Sequence, residues 1–376
     1  MEYRTIEEWC EILDSQRIPI TAKNRIEGPY PYYGANGIQD YVNDYIFDDE
    51  LVLLAEDGGN FGSKDRPIAY RVSGKCWVNN HAHVLKPKNG LDVDYLCYSL
   101  MFYNTNGLVN GATRQKLTQS TMRTMKIPCL EINEQQEIVQ KIKKIESILN
   151  DLNGQLDLLD ELIKARFVEM FGDPVDNEKE FVKAPMGDYM TVLTDFSSNG
   201  SYKTLDNGVK MYDEPNYAWM VRTTDLETGD MNSIKYIDKN AYELLSKSKI
   251  FGGEIIMNKI GSAGKIYLMP KTDMPASLGR NAFMFRYDER INVEFLYHLL
   301  ISDYGQNEIR QYVRGAVTKT ITKNDVRSVL ILVPPIELQN QFASFVEEID
   351  KSRSRIQKSL EASQELFDSL MQEYFG

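Results

Sequence analysis

Two short polar segments of this chain could bind a nucleic acid. The first occupies residues 114–116 and the second residues 318–320, and they contribute Arg114, Gln115, Lys116, Thr318, Lys319 and Thr320. Arginine, lysine and threonine side chains bind phosphates, whereas arginine and glutamine also read base edges. No acidic residue occurs from Tyr95 to Leu130. The first segment therefore lies in a locally basic region, as DNA binding requires.

Other polar or aromatic residues in predicted loops could also contact DNA. Aromatic faces, carboxamides and guanidinium groups suit contacts with bases and phosphates. These further candidates are Tyr32, Tyr33, Asn36, Asn79, Asn80, Arg222, Lys265, Arg280, Asn281 and Arg314. A structural use stays open for each loop residue, and Tyr32 and Tyr33 have an alternative as core aromatics. Thr118 and Thr322 have an equal alternative as helix N-caps.

Residues typical of catalytic or metal sites are few. The chain has three histidines, and His81 and His83 are predicted to lie on one strand, 76–86. Gly261–Lys265 resembles a phosphate-binding loop, but Ile266 stands where Mg²⁺ would need a hydroxyl, so a turn between strands is favoured. Four widely spaced cysteines indicate free thiols in a reducing cytoplasm. We expect no enzyme, bound metal or cofactor in this chain.

The two polar segments belong to a repeat. The stretch from Gly111 to Gln135 matches the stretch from Gly315 to Gln339 without a gap, at an offset of 204 residues. The coincident pairs are Gly111/Gly315, Ala112/Ala316, Thr118/Thr322, Arg123/Arg327, Ile127/Ile331 and Gln135/Gln339. A repeat of this length indicates that one domain-plus-helix unit was used twice.

A long helix is predicted after each copy of the repeat. Residues 134–170 carry apolar side chains at alternating spacings of four and three, which is a heptad pattern. Its 37 residues would span about 55 Å as a helix. Residues 335–376 show a less regular version. A coil between two chains would explain both segments, but pairing within the chain is simpler. Antiparallel pairing would separate the two domains by more than one turn of B-DNA, about 34–36 Å.

Short apolar runs framed by turns predict strands in the rest of the chain, at 49–57, 67–73, 76–86, 217–224, 253–260 and 281–287. Amphipathic helices are predicted at 92–104 and 292–304. We therefore predict an α+β fold with two α/β domains and two long antiparallel coiled-coil helices, related by a pseudo-twofold axis. The predicted boundaries are 1–130 for the first domain, 131–170 for the central helix, 171–334 for the second domain and 335–376 for the C-terminal helix.

The formal net charge of −12 is unevenly distributed. The two predicted helical segments carry 5 basic against 9 acidic residues and 4 against 8, which accounts for eight of the twelve excess negative charges. The predicted domains are thus nearly neutral, and local basic patches decide nucleic-acid binding. The N-terminal segment lacks the order of a signal peptide, and no apolar run is long enough to span a bilayer. We expect a cytoplasmic protein with no membrane partner.

The chain resembles the specificity subunits of Type I restriction–modification systems. The resemblance in the first half lies in residues 31–37 (PYYGANG), Tyr41, residues 45–48 and residues 55–58. In the second half, residues 221–231 and 253–268 resemble another variant of the same target recognition domain. Residues 130–139 and 334–343 resemble the starts of the family's spacer helices, and residues 167–174 and 366–376 resemble their ends.

This resemblance implies a non-catalytic reader of double-stranded DNA. Each domain would read one half of a split target, and the helices would set the half-site distance and bind two modification subunits. S-adenosylmethionine, ATP and Mg²⁺ would serve those subunits and the restriction/translocase subunits. On the helices, the candidates for partner binding are Ile142, Leu149, Leu156, Ile349, Ile356 and Leu370.

Two other hypotheses remain at this point. The chain could be a coiled-coil scaffold with degenerate DNA-binding domains, in which case loss of Arg114 and Lys319 would leave DNA binding unchanged. It could also be a stand-alone nuclease, but the sequence lacks a metal-binding carboxylate motif.

Overall fold

The computed structural model describes residues 2–111 and 114–376. They form two compact units: unit 1 comprises Met1–Gln155 and Ile356–Gly376, and unit 2 comprises Leu156–Arg355. Two helices of 40 residues, Ile132–Phe171 and Ile336–Phe375, each contribute to both units. Among the described residues, no helix combines the length and the hydropathy that crossing a bilayer requires.

Unit 1 is built on a six-stranded sheet with the order β2-β7-β5-β6-β3-β4. Neighbouring strands are antiparallel except β3 and β6. The strands of the unit are β1 (Glu2–Thr5), β2 (Cys10–Ile12), β3 (Tyr30–Gly34), β4 (Gly37–Val42), β5 (Phe47–Ala55), β6 (Ala69–Val78), β7 (Ala82–Pro87) and β8 (Lys126–Cys129). Its shorter helices are α1 (Ile6–Trp9), α2 (Val93–Met101) and α3 (Gln119–Thr124).

The central helix, α4 (Ile132–Phe171), follows β8 directly. Strand β8 pairs with β1 in a separate two-stranded sheet, so the start of the chain is tied to the segment that leads into α4. The predicted helix at 134–170 is therefore present, two residues longer at its start and one at its end.

Unit 2 contains two four-stranded sheets with the orders β10-β17-β14-β15 and β12-β11-β16-β13. Its strands are β9 (Val182–Pro185), β10 (Met190–Asp195), β11 (Ala218–Val221), β12 (Lys235–Ile237), β13 (Lys249–Ile250), β14 (Ile255–Asn258), β15 (Ile266–Leu268), β16 (Ala276–Leu278), β17 (Ala282–Tyr287) and β18 (Leu330–Val333). Its shorter helices are α5 (Tyr202–Gly208), α6 (Thr223–Thr228), α7 (Lys239–Leu244), α8 (Val293–Ile301), α9 (Asp303–Arg310) and α10 (Lys323–Ser328).

The second long helix, α11 (Ile336–Phe375), follows β18, and β18 pairs with β9 as β8 pairs with β1. Both long helices thus begin after a two-stranded sheet, and their first residues, Ile132 and Ile336, keep the offset of the sequence repeat. The fold class is α+β, as predicted.

The long helices pair in antiparallel fashion inside each unit. In unit 2, Asp160 forms an ion pair of 2.6 Å with Arg353, while Phe167 packs edge-on against Phe342 at 5.4 Å between ring centroids. In unit 1, the beginning of α4 packs against the end of α11, where Lys141 lies 3.4 Å from the Tyr374 hydroxyl. At the two ends of the heptad the apolar side chains lie in these contacts, because burial of such a seam stabilises two adjacent helices. Ile142 packs in one core with Phe367 and Met371 of α11, and Ile163 packs in the other with Phe342.

One strand prediction was wrong. Residues 67–73 and 76–86 were expected to be two strands, but β6 runs through Gly74 and Lys75, and the chain turns at 79–81. The Asn79 Oδ1 accepts the His81 backbone N–H at 2.7 Å, which stabilises this turn. His81 therefore lies in the turn before β7, and only His83 lies on a strand.

Candidate nucleic-acid interface

A loop with the same backbone design precedes the last strand of each unit. In loop 110–116, Asn110 and Lys116 exchange two backbone hydrogen bonds of 2.9 and 2.7 Å. In loop 314–320, Arg314 and Thr320 exchange bonds of 2.9 and 2.8 Å. Residues 112 and 113, which include one residue of the sequence repeat, lie outside the described part of the chain.

Glycine is required at the start of both loops. Gly111 has a φ of 104° and Gly315 a φ of 106°, a conformation that strains any residue with a Cβ. A Cβ at Gly111 would also lie 2.3 Å from the Arg114 carbonyl oxygen, and one at Gly315 would lie 2.2 Å from that of Thr318. Gly111 and Gly315 therefore adopt the same backbone conformation at equivalent positions of the two loops.

Each loop is hydrogen-bonded to the turn that follows a central strand. The Gly58 N–H donates to the Gln115 carbonyl at 3.1 Å, and the Gly261 N–H donates to the Lys319 carbonyl at 2.9 Å. The residue before each of these glycines also pairs with the loop: Asp57 forms a backbone bridge with Lys116, and Ile260 forms one with Thr320. Asp57 and Ile260 thus occupy equivalent positions in the two units.

In unit 1 the basic side chains of the loop are paired with carboxylates. Arg114 lies 2.6 Å from Asp57, whose carboxylate also lies 2.6 Å from the His81 Nδ1. Lys116 lies 3.0 Å from Glu56. Arg114 and Lys116 remain exposed, so their donors can still reach a phosphate, but much of their charge is neutralised locally.

A buried polar cluster lies beneath this loop. His83 is fully buried, with its Nδ1 2.6 Å from Asp14 and its Nε2 3.0 Å from the Leu117 carbonyl. Arg17 lies 2.7 Å from Glu56 and 3.5 Å from Asp14. Burial would raise the pKa of Asp14, but His83 and the Val84 amide hold it below its usual range.

Asp14, Glu56 and His83 are close enough together to hold a metal ion in principle. However, Arg17 and Lys116 already neutralise the two carboxylates, and both His83 nitrogens face oxygen atoms. This arrangement is typical of a structural network that supports the loop, since a cation would have to displace resident positive charges.

Unit 2 has a different buried cluster under its loop. Asp195 is 5% exposed and lies 2.9 Å from Lys259 and 2.8 Å from Lys323. The Ser197 and Ser198 hydroxyls each donate to its carboxylate at 2.6 Å. Burial alone would raise the pKa of Asp195, but these four donors hold it well below its usual range. The cluster ties α10 to the end of β10.

Most other basic candidates of unit 2 are also paired. Arg222 donates to Asp225, which is buried and also accepts the Trp219 indole N–H at 3.2 Å. Lys265 lies 2.5 Å from Glu227. Arg280 lies 3.1 Å from Asp206 and packs over the Phe196 and Tyr202 rings at 5.1 and 5.9 Å. Asn281 is exposed with a φ of 66°.

Lys319 differs from the other basic candidates. Its neighbour Arg314 lies 2.9 Å from Asp325, a carboxylate whose pKa is lowered mainly by hydrogen bonds from Thr322. Lys319 is exposed, and within the described residues we find no ion pair or side-chain hydrogen bond for it. Thr318 and Thr320 are exposed beside it. Lys319 therefore offers a full charge to a phosphate.

The aromatic and amide candidates of unit 1 divide into two groups. Tyr32 is 1% exposed with its hydroxyl bonded to the Ile20 backbone, and Asn79 is 3% exposed and donates to Gln39 at 3.1 Å. Their burial argues against contact with DNA. Tyr33 is half-buried and stacks on Tyr70 at 5.8 Å. Asn36 and Asn80 are exposed, and Asn36 donates to the Gly58 carbonyl.

Thr118 and Thr322 act as N-caps. The Thr118 hydroxyl accepts the Thr121 N–H, and Thr322 forms a capping box with Asp325.

The sequence assigned no role to Asp195, Lys259 or Lys323, because 64 and 128 residues separate the carboxylate from its two lysines.

Four of the six predicted partner-binding residues lie in or next to the cores of the units. Ile142 is fully buried, Leu149 and Leu370 pack against the core of unit 1, and Ile349 packs against that of unit 2. Leu156 and Ile356 are half-buried. The leucines that remain exposed at equivalent positions of the two helices are Leu162, at 47%, and Leu366, at 51%.

Comparisons with known proteins agree on one family. The profile of the Type I restriction modification DNA specificity domain matches residues 1–159 and 187–364. A protein of Haemophilus influenzae assigned as a type I restriction enzyme specificity subunit is 25% identical, over 96% of this chain and 90% of its own length. The MjaVIII specificity subunit of Methanocaldococcus jannaschii is 23% identical, over 94% and 88%.

The crystal structure of the Type I system S subunit from M. genitalium has the same fold, with a TM-score of 0.59 at 15% identity over 100% of this chain and 96% of its own. With more than half of its length matched by the family profile, this chain belongs to the DNA specificity subunits of Type I restriction–modification systems.

Proposed function

We propose that the chain reads a bipartite DNA target, one part with each unit, and performs no chemistry itself. The observation that carries this proposal is the repeated loop design with different side chains on it. Loops 110–116 and 314–320 each have a glycine near the start, a pair of backbone bridges and a capped helix after the loop. At equivalent positions, however, unit 1 has Asp57 and Arg114 where unit 2 has Ile260 and Thr318. A common backbone with different side chains suits two readers of different sequences.

The charges of the loops support contact with the DNA backbone. Lys319 is unpaired within the described chain, and Arg114, Lys116 and Arg314 keep exposed donors despite their ion pairs. Phosphate contacts position a protein on DNA, while contacts with base edges specify the sequence. In this proposal, the candidates Gln115, Asn36, Asn80, Arg280 and Asn281 are the groups that suit base edges.

The long helices are the proposed sites for two modification subunits. Leu162 and Leu366 are large exposed apolar side chains, separated by the same offset as Gln135 and Gln339. A repeated apolar position favours two equivalent contacts.

In this proposal, S-adenosylmethionine, ATP and Mg²⁺ belong to the partner subunits, which include the restriction/translocase subunits. The complex acts in the cytoplasm.

The scaffold alternative is not favoured, because the comparisons place both units in a DNA specificity family. The test is to co-express the chain with its modification subunits and map methylated positions in DNA incubated with the complex and S-adenosylmethionine. A split target with a fixed spacer is expected. Methylation without sequence preference would contradict the proposal, and the same subunits without this chain provide the control.

A further inference from the structure

An apolar side chain stands at the tip of the DNA-facing loop of unit 2. Val317 is 98% exposed, and Ile260, on the adjoining turn, is 40% exposed. Burial of a valine is favourable, so full exposure at a loop tip suits contact with another molecule.

The loop holds Val317 in a defined place. Gly315 has the positive φ that starts the loop, and Arg314 and Thr320 close it with two backbone hydrogen bonds. The Arg314 side chain is fixed to Asp325 at 2.9 Å, and the Ile321 N–H donates to the Lys259 carbonyl at 3.1 Å. A side chain displayed by a braced loop loses little conformational freedom when it binds.

The surroundings of the two apolar side chains are basic and polar. Lys319 follows Val317 by two residues, and Ile260 directly follows Lys259. In unit 1 the position of Ile260 is taken by Asp57, which binds Arg114 and His81. The two units therefore offer different chemistry at one position: an ion-paired carboxylate in unit 1 and an aliphatic side chain in unit 2.

We propose that Val317 and Ile260 are specificity-determining residues that contact thymine 5-methyl groups in the half-site read by unit 2. Among the base-pair edges in the major groove, the thymine methyl is the apolar group, and aliphatic side chains recognise it by excluding water. Lys319, beside Val317, holds a phosphate of the same half-site, whereas Lys259 stays paired with Asp195. This inference rests on the proposed function.

The experiment uses the full chain in complex with its modification subunits and a duplex carrying the mapped target. Each thymine of both half-sites is replaced in turn by uracil, which keeps the base pair and removes only the methyl group. For the unmodified complex we expect binding about fourfold weaker at one or two positions of one half-site, the effect of one methyl group. For Val317→Ala and Ile260→Ala, we expect weaker binding to the thymine duplex and no further loss with uracil at the same positions.

Two controls separate the causes. Val317→Thr keeps the shape and introduces a hydroxyl, so it should lose the discrimination while leaving assembly of the complex unchanged. Val182→Ala removes a valine that is 63% exposed on β9, which belongs neither to the loop nor to its adjoining turn, and should retain the uracil effect.

Three results would overturn the inference. One is a uracil effect of equal size in the unmodified complex and in Val317→Ala. Another is loss of modification subunits from Val317→Ala, which would make the loop a protein contact. A mapped target whose recognised positions contain no thymine in either half would also overturn it, although the proposed function would stand. Absence of any mapped target would instead overturn the proposed function.

Discussion

The side chain of Gln135, at the start of α4, accepts at its Oε1 a hydrogen bond of 2.8 Å from the backbone amide of Asp92. Its Nε2 donates to the Gly90 and Leu130 carbonyls, both at 2.9 Å. Gln339 repeats this arrangement with the Asn292 amide at 2.8 Å and two carbonyl oxygens at 3.2 and 2.8 Å. Asp92 and Asn292 cap α2 and α8, so each buried glutamine joins a long helix to its domain.

Gln135→Leu should destabilise unit 1 by about 3 kcal/mol, because three part-buried backbone groups lose their partners and each such loss costs about 1 kcal/mol, the low end of the range for buried groups. Urea unfolding with hydrogen exchange around α2 measures the effect. Gln136→Leu, at an exposed position of the same helix, is the control and should change stability by under about 0.5 kcal/mol. Equal effects of the two substitutions would contradict this role. Gln339→Leu should affect unit 2 in the same way.

Asp195→Asn should change how the stability of unit 2 depends on pH. The pKa of Asp195 is lowered in the fold, so its contribution is complete above the unfolded value of about 3.9 and is lost as the pH falls through the folded value. We expect the variant to be less stable by about 3 kcal/mol at pH 7, since Lys259 and Lys323 lose their buried counterion.

The same variant should be less sensitive to acid below about pH 4, because the group that titrates is gone. Unfolding free energies at several pH values from 3 to 7 measure both effects. The control is Asp273→Asn, which changes an exposed aspartate of unit 2. Its unfolding free energy should depend on pH as that of the unmodified protein does. If the unfolding free energy of Asp195→Asn varies with pH in parallel with that of the unmodified protein, the ionised carboxylate contributes nothing to stability.

Lys319→Ala should weaken DNA binding uniformly across sequences and lower the slope of log K against log salt by about 1, as loss of one phosphate contact does. Arg114→Ala should change the slope less, because Asp57 already neutralises part of the Arg114 charge. Fluorescence anisotropy at a series of salt concentrations measures both slopes. Lys271→Ala provides an exposed-lysine control. Equal slopes of log K against log salt for Lys319→Ala and Lys271→Ala would contradict a phosphate contact by Lys319.

Leu162→Glu and Leu366→Glu test the proposed partner surface. Both leucines are about half exposed, so a charge should be tolerated in the free chain but should disfavour an apolar contact. We expect each single variant to lose one modification subunit, and the double variant to lose both, when the mass of the complex is measured by native mass spectrometry. Lys164→Glu reverses a neighbouring charge and controls for electrostatics; two bound subunits in the double variant would refute the proposal.

The regular heptad of 134–170 predicted α4 well, because eight apolar positions at helical spacing leave few alternatives. The prediction for 76–86 was wrong because alternation of residue types does not show where a strand turns; the turn depends on the Asn79 side chain and on pairing with distant strands. The loop glycines were visible as a repeat, although the positive φ that requires them was not.

The candidate site was less predictable than the fold. Arg114 and Lys116 were found from their types and their acid-poor surroundings, but their partners Asp57 and Glu56 lie more than fifty residues earlier in the chain. Tyr32 and Asn79 were indistinguishable in sequence from exposed residues of the same types, and only the tertiary structure buries them. The spacing of residue types along the chain shows neither burial nor the partner of an ion pair that is distant in sequence.

The glutamine that fastens each long helix has an evolutionary consequence. It bonds to backbone atoms, which every sequence possesses, and leaves the side chains of the reading loops out of the joint. Substitution of side chains in the loops therefore leaves these hydrogen bonds in place. If the proposed function holds, the residues that read the target can change in one unit while the attachment of that unit to its long helix stays the same.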